Sequence, residues 1–316
     1  MKLFKLYQLM VALGIEQDPR KARIESFFKE ARKEYRKLKG IEKLGFDKEA
    51  LVNPFSDTRI LYGNPRQEIT KVMVGIDIEG QEILLAQRIR EKEGLDLVVA
   101  HHPEGIAYAG LSGVMNVQGF ILERLGLQKE VVDDFLKERI QEVSRKISSA
   151  NHSRPVDTAR LLDIPFMCCH TPADNFVAKY LQALMDKNKP PKVKDALSIL
   201  YKIPEYKDAL INKAGPKVIL GKAESKAGKI FVDMTGGTEG PKELFGRLSQ
   251  AGVGTIVCMH LSEEHFSKAK PEHLNVIVAG HIASDNLGLN LLFDAIEAKE
   301  KLNIICCSGF KRIPRS

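Results

Sequence analysis

Three short apolar, β-branched runs of this chain stop abruptly on side chains that ligate metals. Leu95–Ala100 ends on His101-His102-Pro103. Ile164–Cys169 ends on His170 with Asp174 four residues on, and Leu274–Ala279 on Gly280-His281 with Asp285 four residues on. Runs of this length read as buried strands. Further strands are predicted over 72–76, 229–232, 255–259 and 304–307, and helical periodicity over 80–92, 117–149 (broken near Gly126), 176–187, 241–251 and 287–302. Such alternation predicts an α/β chain with mostly parallel sheets covered by helices. The C-terminal ends of parallel strands share one edge, where ligands bind, so three distant segments can converge there. Stretches 105–113 and 53–66 read as loops, and 196–214 as a peripheral helical connection.

The first 66 residues read as an N-terminal helical extension. Met1–Gly14 has the pattern of an amphipathic helix, without a signal-peptide cleavage site. Asp18-Pro19 is a helix-start signal. The stripe Ile24, Phe27, Phe28, Ala31, Tyr35 and Leu38 then recurs at helical spacing up to Gly40. Of the net charge of +7, residues 19–48 supply most, with eleven Lys or Arg against five acids. A solvated helix face accounts for that segment more simply than a nucleic-acid surface, because the remaining chain is close to neutral. No run is long and apolar enough for a membrane span. Five cysteines, four of them in the pairs Cys168-Cys169 and Cys306-Cys307, make no disulfide framework. They read as core residues of a cytoplasmic protein.

If the three strand ends meet, they assemble imidazoles and two carboxylates, a donor set suited to zinc, manganese or iron rather than calcium or magnesium. A His followed four residues later by Asp places both on one helix face. One tetrahedral ion needs four ligands, so this inventory suits two divalent ions per chain, with carboxylates bridging ions roughly 3.5–4 Å apart. The excess positive charge of such a centre would attract a small anionic substrate. His152, His260, His265 and His273 lack the pattern. His260–His265 is not a zinc-protease motif, and Ser262 reads as a helix cap. The turn Met234–Pro241 is glycine-rich without phosphate-loop spacing, and reads as a tight turn before a helix.

The three segments, in this order, resemble the Nif-three-like family, also called dinuclear metal centre hexameric proteins or GTP cyclohydrolase I type two homologues. The matching stretches are Asp96–Pro103, His170–Asp174 and Gly280–Asp285. The resemblance implies a two-lobed α/β subunit, assembly into a homohexamer, and a dinuclear centre between the lobes. Carried over motif by motif, the metal ligands would be His101, His102, Asp174, His281 and Asp285, with His170 lining the site as the candidate for proton transfer. Three features depart from the family. Asp285 stands where the family usually has glutamate, the N-terminal segment is longer, and the wide His102–His170 interval marks an insertion at about 114–150. The expected units are the extension 1–66, a first lobe 67–190 carrying the insertion, and a second lobe 191–316. The function expected is a metal-dependent hydrolase of a small phosphorylated or nucleotide-like substrate, with ion-activated water as nucleophile. The alternatives are a non-enzymatic metal-binding or adaptor protein, and a nucleic-acid-binding ring.

Overall fold

The computed structural model describes residues 1–315. Its strands are β1 (Arg59–Tyr62), β2 (Lys71–Gly75), β3 (Leu97–Ala100), β4 (Phe166–Cys168), β5 (Lys217–Leu220), β6 (Lys229–Asp233), β7 (Val253–Cys258), β8 (Asn275–Val278) and β9 (Asn303–Cys307). They form a five-stranded sheet of order β1-β4-β3-β2-β9 and a four-stranded sheet of order β5-β8-β7-β6. Neighbours run parallel except at one edge of each sheet, where β1 lies antiparallel to β4 and β5 to β8. The mostly parallel α/β architecture is the one expected. Its central strands are apolar on both faces, as in β3, where every residue is buried, because helices cover both sides.

The two strands that sequence reading did not find are the antiparallel edges. β1 falls inside the stretch taken as a loop. Both are four residues long and mostly half-exposed, so neither carries the apolar run that marks a buried strand. The segment 105–113 is likewise not a plain loop, but a short helix Gly105–Ala109 followed by a 3-10 turn Leu111–Met115. The stretch 196–214 is not peripheral either. Helices Val193–Leu200 and Pro204–Ile211 pack into the core with Tyr206 fully buried.

Two helices lie between the sheets and belong to both cores. Helix Thr171–Asn188 places Ala173 with Val74 and Val99 of the first sheet, and Val177 and Leu181 with Val232 and Ile277 of the second. Helix His281–Glu297 does the same with Leu289 and Phe293 on one side and Leu287 on the other. Helix His281–Glu297 is buried on most sides, as expected of a central element, whereas Thr171–Asn188 is buried over its first turns and emerges toward its end. Helix Leu3–Gln17 covers the same face of the first sheet, with Leu3, Leu6 and Met10 fully buried. The N-terminal segment is therefore a core layer at its start, not an appendage.

The basic stripe does form a helix, Ile24–Lys37, burying Ile24, Phe28 and Ala31 and leaving its charges outward. Its start differs from expectation. Asp18 ends the preceding helix, and its carboxylate accepts hydrogen bonds from the backbone and guanidinium of Arg20. The new helix begins after a 3-10 turn at Lys21–Arg23.

The sheets do not divide at the expected 190/191 boundary. β9 returns to pair with β2 in the first sheet. The segment predicted as an insertion forms helices Asn116–Leu125 and Lys129–Ile147, broken at Gly126. Leu122 and Val132 of these helices pack on the outer face of the second sheet with Phe231, Ile256 and Val276.

The two central helices touch at Gly288. A Cβ there would lie 2.5 Å from the Ala173 carbonyl oxygen, so even alanine must push the helices apart. Gly288→Ala is therefore expected to destabilise the protein by about 1–3 kcal/mol, read as a lower urea midpoint. An unchanged midpoint would show that this contact does not constrain the helix pair.

Candidate metal centre

Each strand end turns at once into the helix or loop that holds its polar side chains. β3 continues its ladder one step further, His101 N–H donating to Gly75 O and His102 N–H to Ile76 O, before Pro103 diverts the chain. Beyond β4, His170 precedes helix Thr171–Asn188, which begins Thr-Pro and carries Asp174 one turn in. Beyond β8, Gly280 precedes helix His281–Glu297, with Asp285 one turn in.

The structure brings all six predicted residues together. His101 Nε2 lies 3.5 Å from Asp174 Oδ1 and 3.4 Å from Asp285 Oδ1. The other oxygen of Asp285 is 3.5 Å from His102 Nε2 and 3.7 Å from His281 Nε2. His170 Nε2 is 3.7 Å from Asp174 Oδ2. These separations are long for hydrogen bonds. They are close to the roughly 3.3 Å between donors that share a tetrahedral ion with bonds of ~2.0–2.1 Å. Three donor sets fall within ligand reach: His101–His102–His170, His102–His281–Asp285 and His101–Asp174–Asp285.

The fit to a cation shows in what these atoms lack. Seven buried side-chain polar atoms among the described residues have no hydrogen-bond partner, and five belong here: His101 Nε2, His102 Nε2, Asp174 Oδ1 and both oxygens of Asp285. An unpaired buried acceptor is costly, which disfavours such a cluster unless something else satisfies it. The far side of each ring is satisfied. His101 Nδ1 is 3.2 Å from the Cys169 carbonyl, His102 Nδ1 is 2.6 Å from Asp77 Oδ1, and His170 Nδ1 is 2.9 Å from Asp57 Oδ2. A carbonyl or carboxylate only accepts, so Nδ1 carries the proton and Nε2 is left to face the centre. Metal-binding histidines are commonly oriented in this way.

Asp57 and Asp77 escaped the sequence reading. Asp77 lies two residues beyond β2, a fourth strand end at the same edge, and that position was its available signal. Asp57 stands in a stretch read as loop. It is fully buried and also accepts from the Thr171 hydroxyl and backbone N–H; no spacing marked it.

The remaining histidines divide. His265 is a satisfied packing residue: Nε2 donates to Gly240 O at 2.8 Å and Nδ1 meets Ser262 Oγ at 2.8 Å. Ser262 caps the helix Glu263–Ala269 as expected. His152 and His260 line the cleft over the cluster, a cavity of about 530 Å³. The glycine-rich turn borders the same cleft. Gly236 and Gly237 have positive φ, and side chains there would collide with Gln118 and Val114. Gln118 holds the turn by donating to Gly236 O and Thr238 O. Among the cysteines, Cys168 and Cys169 are buried as expected, whereas Cys306 is exposed because β9 is an edge strand.

Without metal the groups of the cluster are driven apart in their affinity for protons. Burial, against the pull of His101, pushes Asp174 up to about 8. Burial would lower His102, but Asp285 and Asp77 outweigh it and raise the imidazole to about 10. Burial also lowers His281 to about 4, with the neighbouring imidazoles contributing. Burial opposes ionisation of Asp285 too, yet His101 and His102 hold it far below the usual carboxylate range.

Both raised groups contribute stability at low pH that is lost on deprotonation, Asp174 as pH climbs from 3.8 through about 8 and His102 from 6.5 through about 10. The metal-free protein should therefore lose thermal stability between pH 6.5 and 9. Zinc needs the deprotonated donors, so the rise in melting temperature on adding it should grow over the same range. Parallel melts of chelated and zinc-loaded protein check this; a zinc effect independent of pH would contradict it.

No family model and no curated protein matches the chain. Solved structures do. A NIF3 superfamily protein from Sphaerobacter thermophilus is 28% identical with a TM-score of 0.69, the match covering 81% of this chain and 92% of that one. The protein ybgI, described as of unknown function, is 15% identical with a TM-score of 0.50, over 84% of this chain and 93% of its own. Over most of its length the chain thus has the fold of NIF3 superfamily proteins, in agreement with the resemblance its three segments carry.

Proposed function

We propose that this chain holds two divalent ions per subunit and is a metal-dependent hydrolase of a small phosphorylated or nucleotide-like substrate. The observation that carries the reading is the division of Asp285. One oxygen faces His101 and the other faces His102 and His281, as a bridging carboxylate between two ions would. His101, His102, Asp174, His281 and Asp285 are the proposed ligands, and imidazoles with carboxylates suit zinc, manganese or iron. When bound, such ions activate water and neutralise an anionic substrate.

The chain's own groups do the rest. Asp57 fixes the proton of His170 on Nδ1, so Nε2 faces the cleft and can accept or return a proton. Arg154 also lines the cleft and forms no ion pair among the described residues, leaving its guanidinium for phosphate oxygens. The outward-facing Leu84, Leu85 and Leu161 lie on two helices that pack together. They support self-association, and the assembly proposed is a homohexamer, which light scattering would register as six chains.

Metal analysis followed by a phosphoester and nucleotide screen tests the function. Asp285→Asn keeps the shape but removes a charge beside about four positive ones, so metal content should fall from near two ions to near one with the fold intact. His170→Gln should retain both ions and lose roughly 10²–10⁴-fold in turnover. Full retention of two ions by Asp285→Asn would remove Asp285 from the bridge. Ions without turnover on any substrate class would favour a metal-binding or adaptor role.

A further inference from the structure

Each sheet presents the ends of adjacent parallel strands to the cleft. In the first, β2, β3 and β4 lead to Asp77, His101-His102 and His170. In the second, β8 leads to His281 and its neighbour β7 to His260, the two strands still linked where Ala279 N–H donates to Cys258 O at 2.8 Å. The ring centroids of His260 and His281 are 4.8 Å apart. That matches the spacings within the cluster itself, 4.9 Å for His101–His170, 5.0 Å for His102–His281 and 5.3 Å for His101–His102.

The donor set His102–His281–Asp285 offers three protein ligands, one short of a tetrahedron. We propose that His260 is a further metal ligand, turning its Nε2 onto the ion held by His102, His281 and Asp285. The proposal rests on reading that set as an ion site. Glu239 is placed to orient the ring: Oε1 is 3.7 Å from His260 Nδ1 and is held in place by the Ser262 N–H at 2.7 Å. A carboxylate thus stands on the Nδ1 side here too, farther off than Asp77 and Asp57, which are within hydrogen-bond distance on the first sheet, and Nε2 is left for the centre. Unlike fully buried His101, the His260 side chain is 45% exposed. It can rotate onto the ion and be displaced when an anion enters the cleft. The site is then closed at rest and open with substrate.

Cobalt(II) substitution reads this directly, independent of turnover. Wild type, His260→Ala, His260→Cys and Glu239→Gln are loaded with cobalt, checked for native circular dichroism, and titrated with a chelator. His260→Ala should alter the visible cobalt bands and release one ion at roughly 10–100-fold lower chelator concentration, Glu239→Gln weakening it in the same direction. His260→Cys should place a thiolate in the shell and produce an intense sulfur-to-cobalt charge-transfer band. Unchanged bands and chelator curve for His260→Ala, with no charge-transfer band for His260→Cys, overturn the proposal while leaving the other ligands standing. Failure of the wild type to take up cobalt overturns the metal reading and this inference together.

Discussion

Helices Thr171–Asn188 and His281–Glu297 meet at van der Waals range because position 288 has no side chain, and Ala173 occupies the space a Cβ would need. Both helices start at a strand end, both are buried between the sheets, and each carries an aspartate one turn in. Their mutual approach therefore decides whether Asp174 and Asp285 face the same imidazole. The two cores share these helices, so packing energy from either sheet fixes the spacing of the acids. Close-packed interiors transmit small displacements rather than absorbing them. A donor set that must be right to tenths of an ångström is built on the most constrained elements of the fold.

That packing leaves the polar atoms it gathers short of partners. Two carboxylates and several imidazoles face one another with unpaired atoms, while a second ring of acceptors, Cys169 O, Asp77 and Asp57, orients the rings from behind. Sites with this split between unsatisfied inner atoms and satisfied outer atoms are strained toward a ligand. The outer carboxylates also add negative charge behind the rings, which would offset the charge of a bound cation without taking up the inner donor atoms.

The parallel strands and their terminal histidines were legible because burial on both faces forces long apolar runs that end sharply. Convergence followed from one rule about parallel sheets. What stayed hidden lacked a local pattern. β1 and β5 are short, half-exposed edges, and Asp57 acquires its role from the fold's bringing it to His170. Asp77 and His260 follow strands that had been read, but neither belongs to a His-to-Asp spacing. The allocation of residues to the two sheets was illegible for another reason. β9 pairs with a strand made far earlier, and the helices over 116–147 pack across to the other sheet, both long-range choices that periodicity does not encode.

The late position of β9 bears on how the protein is made. During synthesis β2 emerges early but keeps an unpaired edge until residues 303–307 appear, and helix His281–Glu297 is complete only shortly before. Until then the first sheet exposes an open strand, the kind of edge that invites wrong partners. His101 and His102 likewise wait without Asp285. The cluster is thus completed only late in synthesis, and a nascent chain stalled before residue 280 would carry the first histidines without the acid that lies between them.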